Sequence, residues 1–247
     1  MISAITNQKG GTGKTTTSVN LSCCLAREGY RTLLVDLDPQ AHSTIGLNVT
    51  LDQGQTSIKD VMDRSVPVEE VIVSDVARDL DLIPSEIKLA IVAEHLYVRN
   101  FREFILEKAL QPIKERYSHI IIDCPPTLNV LTVNAICAAD LLLIPCQVSR
   151  YSLEGMADLL NIIETLKGGK FQDYRILLTM FDARTTVTNE IILNQLGDYQ
   201  DKIFKTRISR TEALNQAQIA QESIFSFDPK SKAAEDYYNL TQEILQQ

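Results

Sequence analysis

The sequence predicts an α/β fold with a doubly wound, mostly parallel sheet and helices on both faces. Three observations carry this. Six short apolar runs read as strands, and their hydrophobicity is nearly continuous rather than alternating, as expected where both faces of a sheet are covered. Longer stretches with helical spacing lie between them, so strand and helix alternate along the chain. The first strand opens into a glycine-rich loop and then a helix, the kind of junction at which parallel sheets hold anions.

In chain order, the strands are read at ISAIT (2–6), TLLVDLD (32–38), LDLIP (80–84), HIIIDCPP (119–126), DLLLIPC (140–146) and YRILLTMF (174–181). Helices are expected at 15–28, 86–110, 128–138, 152–167 and 187–200, with a last one at 232–246 closing the chain. Pro39 ends the second run, because proline cannot continue inside a sheet. Residues 48–79 show weak periodicity and many charges and yield no element. There is no repeat, low-complexity tract or linker, so residues 1–247 are expected to form a single domain.

Composition narrows the function. With 247 residues, 45% hydrophobic and 23% charged, the chain is long enough to bury a sizeable core. A net charge of −8 argues against a protein that coats nucleic acid with its whole surface, while leaving room for a local basic patch. The five cysteines form no C-x-x-C pair and sit mostly in apolar stretches, which reads as free buried thiols in a reducing compartment. His42, His95 and His119 are scattered, so no metal site is expected from them. No leader pattern and no apolar run of membrane-spanning length is present, and a cytoplasmic protein is expected.

The chemistry clusters at the strand ends. The segment TNQKGGTGKTTT (6–17) resembles a phosphate-binding loop but has Gln8 where the usual pattern G-x-x-x-x-G-K-[ST] has its first glycine, with a second lysine, Lys9, beside it. Gly10, Gly11, Thr12 and Gly13 let the backbone curl its N–H groups toward an anion. The helix that follows, through Thr15 and Thr16, presents its amides and dipole to the same anion. Lys14 is placed to reach the β- and γ-phosphates, and the Thr15 hydroxyl to hold Mg²⁺. Asp36 and Asp38 lie two apart at the end of a strand and start on one side; either could orient a water or support the metal. Asp123 ends an apolar strand in the form of a Walker B carboxylate held near Mg²⁺ through water.

Together, Lys9 to Thr17, Asp36-Leu-Asp38-Pro-Gln and Asp123-Cys-Pro-Pro resemble the deviant Walker A, A′ and B motifs of the ParA/MinD class of P-loop ATPases. The stretches at 151–160, 177–185 and 228–238 are similar to those of its chromosomal ParA, or Soj-like, branch. The resemblance implies an ATPase using ATP and Mg²⁺, with Lys9, Lys14 and Asp38 as its catalytic residues. It assigns Lys9 to the phosphates of a partner subunit across a two-fold axis, so that ATP assembles a homodimer and hydrolysis releases it. Asp38 would position the attacking water, Asp123 would support Mg²⁺ from behind, and Asp36 would steady Lys14. Phe181, Asp182, Pro229 and Lys230 fall near the family's adenine site.

The same resemblance implies non-specific binding of the ATP dimer to nucleoid duplex DNA. It also implies a cargo-bound partner protein that stimulates hydrolysis. The basic stretch KIFKTRISR, with Lys202, Lys205, Arg207 and Arg210, and Arg184 nearby, is the candidate DNA surface. One departure weakens that surface. Soj-like chains usually continue PRNVRLSEAPSHGKP, and an ungapped alignment puts Ala213 and Glu222 where that stretch has arginine and lysine. The alternative is a MinD-like membrane-associated positioning ATPase. The tail AAEDYYNLTQEILQQ is acidic and lacks a basic residue, a poor match to membrane binding. A cluster-bearing redox carrier would need bridging cysteines, and a metabolic ATP-dependent ligase a second substrate pocket; neither pattern is seen.

Overall fold

The computed structural model describes residues 1–147, 159–167 and 173–246. Eight strands form one sheet: β1 (Ile2–Ile5), β2 (Thr32–Asp36), β3 (Val73–Ala77), β4 (Leu80–Ile83), β5 (His119–Asp123), β6 (Leu141–Gln147), β7 (Tyr174–Phe181) and β8 (Ile203–Ser209). Their order is β3-β4-β2-β5-β1-β6-β7-β8. All neighbours are parallel except β3, which folds back antiparallel on β4. The doubly wound sheet predicted from sequence is therefore present, with two strands more than expected.

Neighbouring residues along a strand enter opposite cores. Leu33, Val35, Ile120, Ile122, Leu142 and Ile144 pack on one face. Leu34, Ile121, Leu143 and Leu177 pack on the other. Both faces are apolar because both are covered by helices, which is why the strands read as unbroken hydrophobic runs. On the second face, α1 (Lys14–Arg27) lies against the C-terminal helix α11 (Lys232–Leu245). The first face carries α3 (Ile58–Met62), α4 (Leu89–Leu96), α5 (Ile105–Leu110) and α6 (Val130–Ala138), the last capped by the Asn129 side chain.

Three expectations needed correction. The single helix at 86–110 is broken into α4, a 3₁₀ turn at Arg102–Phe104 and α5. Between them Tyr97, Val98 and Phe101 point outward, and Phe101 takes a left-handed φ of 55°, so no apolar stripe continues through the segment. The unreadable stretch 48–79 holds α3, entered through a Ser57–Asp60 capping box, and the edge strand β3. The helix expected at 187–200 runs from Thr186 to Gln195 (α8, counting residues 159–166 as α7) and passes through a 3₁₀ turn at Gly197–Lys202 into β8. Part of the expected helix at 152–167 lies outside the described residues; 159–166 is helical. Short helices α2 (His42–Gly46), α9 (Glu212–Ile219) and α10 (Ile224–Phe227) complete the fold.

His119 begins β5 buried beneath Tyr30, whose ring meets it edge-on at 5.5 Å. Burial, and then the nearby N-terminal ammonium, push its pKa down to about 4. A folded-state pKa below the ordinary value near 6.5 gives stability that is present above that value and lost as pH falls toward about 4. The stability of wild type relative to His119→Gln is expected to fall across that window, by up to about 1.4 kcal/mol per pH unit, and to be flat above it. Urea unfolding at a series of pH values measures this; a difference independent of pH would refute it.

Candidate functional site: the phosphate loop and its carboxylates

The loop between β1 and α1 is tied down at both ends. The Asn7 amide donates to the Pro145 carbonyl (2.7 Å), and its oxygen accepts from the Lys9 N–H (2.9 Å). Thr12 is fully buried, and its carbonyl accepts from the Thr179 hydroxyl of β7 (2.8 Å). Gly11 and Gly13 have φ of 73° and 86°, left-handed values that a side chain would strain. Gly13 N-caps α1 with no side-chain partner for the helix amides, so the first turn faces the loop with its N–H groups. Lys14 is buried in that turn, with Nζ donating to the Lys9 carbonyl (3.0 Å). Burial pushes its pKa down, and Asp123, Cys124 and Asp38 pull the other way. Lys9 is half-buried at the shoulder of the loop.

The carboxylates come from adjacent strands. Asp36 and Asp123 are register partners at the ends of β2 and β5, and both are fully buried. Asp123 accepts from the hydroxyls of Ser43 (2.7 Å) and Ser18 (3.0 Å), and also from Thr15. Asp36 accepts from the Thr44 amide (2.8 Å), the Thr44 hydroxyl (2.7 Å) and the Asp38 amide (3.1 Å). Burial first, and then the charge of Asp123, push Asp36 up to about 8. Asp123 is also raised, mainly by burial. Asp38 is buried and accepts from the Gln40 amide (2.9 Å).

Lys14, Thr15, Asp38 and Asp123 are thus brought together. The expected pairing of Asp36 with Lys14 is not found. Its oxygens are occupied by Thr44 and Asp38, so Asp36 shapes the turn after β2 instead. Ser18, Ser43, Thr44 and Thr179 were missed in the sequence. Ser18 lies one helical turn after Lys14 and Ser43 shortly after the Asp38 turn, but serine and threonine are too common for spacing alone to mark them. The donor set, hydroxyl oxygens beside carboxylates with more negative than positive charge, suits a hard divalent cation.

Beside the loop lies a cleft of ≈ 200 Å³, whose lining includes Gly13, Thr16, Thr179, Met180, Arg210 and Thr211. The expected base contacts, Phe181, Asp182, Pro229 and Lys230, do not line it. Pro229 and Lys230 sit with Cys24, Arg27 and Glu28, at the far end of a helix whose 14 residues span about 20 Å. The Phe181 ring is covered by the Arg207 guanidinium at 4.5 Å. The Asp182 carboxylate is gripped by Arg184 (2.7 and 2.9 Å), which, ahead of any other cause, holds its pKa down at about 2.

The basic stretch is an edge strand rather than a loop. Phe204 and Ile208 of β8 are buried, while Lys205 and Arg207, two apart, share the exposed side. Lys202 stands over the Tyr174 ring at 5.4 Å. Arg210 lines the cleft beside the loop and so leaves the row formed by the others. Of the stretches that carried the family resemblance, 177–185 spans the end of β7 and its turn, and 228–238 the start of α11. Most of 151–160 lies outside the described residues.

Comparison with known proteins agrees with this geometry. Residues 1–176 match a family described as an AAA domain. The chain is 42% identical over 246 residues to the sporulation initiation inhibitor protein Soj of Bacillus subtilis, covering 98% of this chain and 97% of that one. It is 38% identical to the chromosome partitioning protein ParA of Myxococcus xanthus, over 99% of this chain and 87% of the relative. A solved structure titled cobyrinic acid a,c-diamide synthase from Mycobacterium smegmatis, with ATP analog and magnesium bound, is 30% identical. It covers 99% of this chain and 94% of that one with a TM-score of 0.85. The class is that of P-loop nucleotide-binding proteins. Within it, this chain belongs to the Soj/ParA family of partitioning ATPases.

Thr44→Val tests the carboxylate network. The change keeps the shape but strips one donor from buried Asp36 and an acceptor from the Ser85 amide, which bonds the Thr44 hydroxyl at 3.0 Å. A loss of about 2–4 kcal/mol in urea unfolding is expected. A loss within experimental error would mean that water replaces the hydroxyl.

Proposed function

We propose that this chain is a ParA-type ATPase that uses ATP and Mg²⁺ to dimerise, holds non-specific duplex DNA in the nucleoid as a dimer, and positions or segregates a cargo. A cargo-bound partner protein would stimulate hydrolysis and release the dimer. One observation carries the ATPase part: Lys14, Thr15, Asp38 and Asp123 converge around a loop whose curled backbone needs Gly11 and Gly13.

Each residue then has a task. The loop amides and the first turn of α1 take the β- and γ-phosphate oxygens, Lys14 exchanges its carbonyl partner for them, and Thr16, on the cleft side of that turn, takes the phosphate next to the nucleoside. Bound Mg²⁺ would neutralise the β- and γ-oxygens as charge develops. Thr15 and Asp38 would hold it, with Asp123 bracing the Thr15 hydroxyl. Asp38, held by the Gln40 amide, also orients the attacking water. The nucleoside lies in the cleft beside Thr16. Lys9 reaches the partner's phosphates, so loss of the γ-phosphate weakens the interface.

The membrane-associated reading has less support. Ala233, Tyr237, Leu240 and Ile244 of α11 are buried in the core, so its apolar face is already occupied. Among the described residues no helix is long and apolar enough to cross a membrane.

Two experiments test the proposal. Lys14→Ala is expected to lose nucleotide, and Lys9→Ala to keep nucleotide but lose the ATP-dependent dimer. Asp38→Ala should bind ATP and remain dimeric because hydrolysis is slowed. Calorimetry with light scattering in ATP, ADP or neither reads all three, and a wild-type mass that never changes would sink the sandwich dimer. In the second, Lys205→Ala with Arg207→Ala should weaken the ATP dimer on any duplex. The log–log salt slope should become shallower by about 0.9 for each phosphate no longer neutralised. Arg210→Ala, lining the cleft, should disturb nucleotide affinity as well. Unchanged DNA affinity in the double variant would place the DNA surface elsewhere.

A further inference from the structure

Helix α9 (212–219) lies beside the first turns of α1 and is lightly held. Ala217 is its one buried residue, and Ile219 is 83% exposed. At its start Thr211 does not cap it. The Thr211 hydroxyl is buried, lines the cleft beside the phosphate loop and has no hydrogen-bond partner among the described residues. Just past its end Gln221 takes a left-handed φ of 57°, strained for a residue with a side chain. A side-chain contact joins this helix to the loop: the Gln218 amide donates a short hydrogen bond to the Thr16 hydroxyl.

That bond stands between two spaces. Thr16, Leu214 and Gln218 line the ≈ 200 Å³ cleft and also a second cavity of ≈ 260 Å³ that reaches Thr15, Asn20, His42 and Glu222. A ligand confined to the phosphate loop leaves the bond alone. One that runs from the loop into the cleft has to pass Thr16, where the Gln218 amide sits.

We infer that Gln218 is a positioning residue that gates the nucleotide site, covering Thr16 and yielding to a nucleoside polyphosphate. The inference rests on the reading of the loop as an ATP site. Displacing Gln218 breaks one neutral hydrogen bond at an exposed position, so the gate lowers nucleotide affinity by a modest factor. The buried Thr211 hydroxyl supplies a partner for the entering ligand and offsets part of that cost. Gln218 therefore acts on ligands carrying a nucleoside and leaves inorganic pyrophosphate unaffected.

The test is titration calorimetry of the full chain with ATP, ADP and pyrophosphate in wild type, Gln218→Ala and Gln218→Glu. Gln218→Ala removes the amide at a helix position alanine favours, and is expected to bind ATP and ADP about threefold to tenfold more tightly, with pyrophosphate unchanged. Gln218→Glu brings a carboxylate to the same place and is expected to bind both nucleotides more weakly than wild type. Equal or weaker nucleotide binding by Gln218→Ala overturns the gate, because the amide would then be neutral or would assist the ligand. An equal gain for pyrophosphate also overturns it, since the effect would lie in the loop. Wild type that binds no ATP, or a Lys14→Ala variant that binds as well as wild type, would instead overturn the reading of the loop.

Discussion

Two carboxylates held side by side away from water set the terms for the rest of this site. Asp36 and Asp123 end neighbouring strands in register, and neither touches solvent. Burying such groups is tolerable only if each oxygen is met by donors. The donors come from every surrounding segment: Thr15 and Ser18 from α1, Ser43 and Thr44 from α2, and the Asp38 amide from the turn between. The Thr44 hydroxyl passes the connection on to the Ser85 amide beyond β4. Loop, turn and strand ends are therefore one hydrogen-bonded unit, and its geometry cannot change in one place alone.

This arrangement also explains the local charge. Lys14 is pushed toward neutrality by burial, while Asp36 and Asp123 are pushed toward protonation by the same cause. Each charge lacks full compensation within the chain. A triphosphate beside Lys14 and a divalent cation beside the carboxylates would supply it, and would offset the burial of both kinds of charge.

The far edge of the sheet is closed by a different device. β8 is an edge strand with a bulge: two steps along β7, from Ile176 to Leu178, are matched by four along β8, from Ile203 to Arg207. The outward amides of Lys205 and Thr206 are taken by Glu243 of α11, and the Ser209 amide by Asp236. Seven residues apart on one helix face, these acids close an edge that would otherwise invite pairing with another chain. The C-terminal helix, the segment a membrane-associated reading would need free, is here committed to the sheet. Lys205 and Arg207 remain on the opposite, exposed side of the same strand.

Local pattern was enough for most of the fold and for the phosphate loop. Continuous apolar runs marked the strands buried on both faces. The spacing of Gly10, Gly11, Gly13 and Lys14, with aspartates at strand ends, marked the chemistry, because these signals lie within a few residues of one another. Local pattern missed β3 and β8, since edge strands are half-exposed and carry charges. It missed the break at Tyr97–Phe101, where helical spacing runs on although the side chains turn outward. It also paired Asp36 with Lys14 and set Pro229 and Lys230 near the loop. Asp36 and Asp38 look alike in sequence, and their roles part only when Thr44, eight residues on, folds back to claim one of them. Pro229 and Lys230 are carried away from the loop, and Arg210 and Thr211 brought to it, because the segment that leads into α11 lies at the far end of α1 while the end of β8 runs to its first turn. Chemistry written within one turn of chain is readable in order; which distant strand end meets it is set by how the two faces of the sheet are covered.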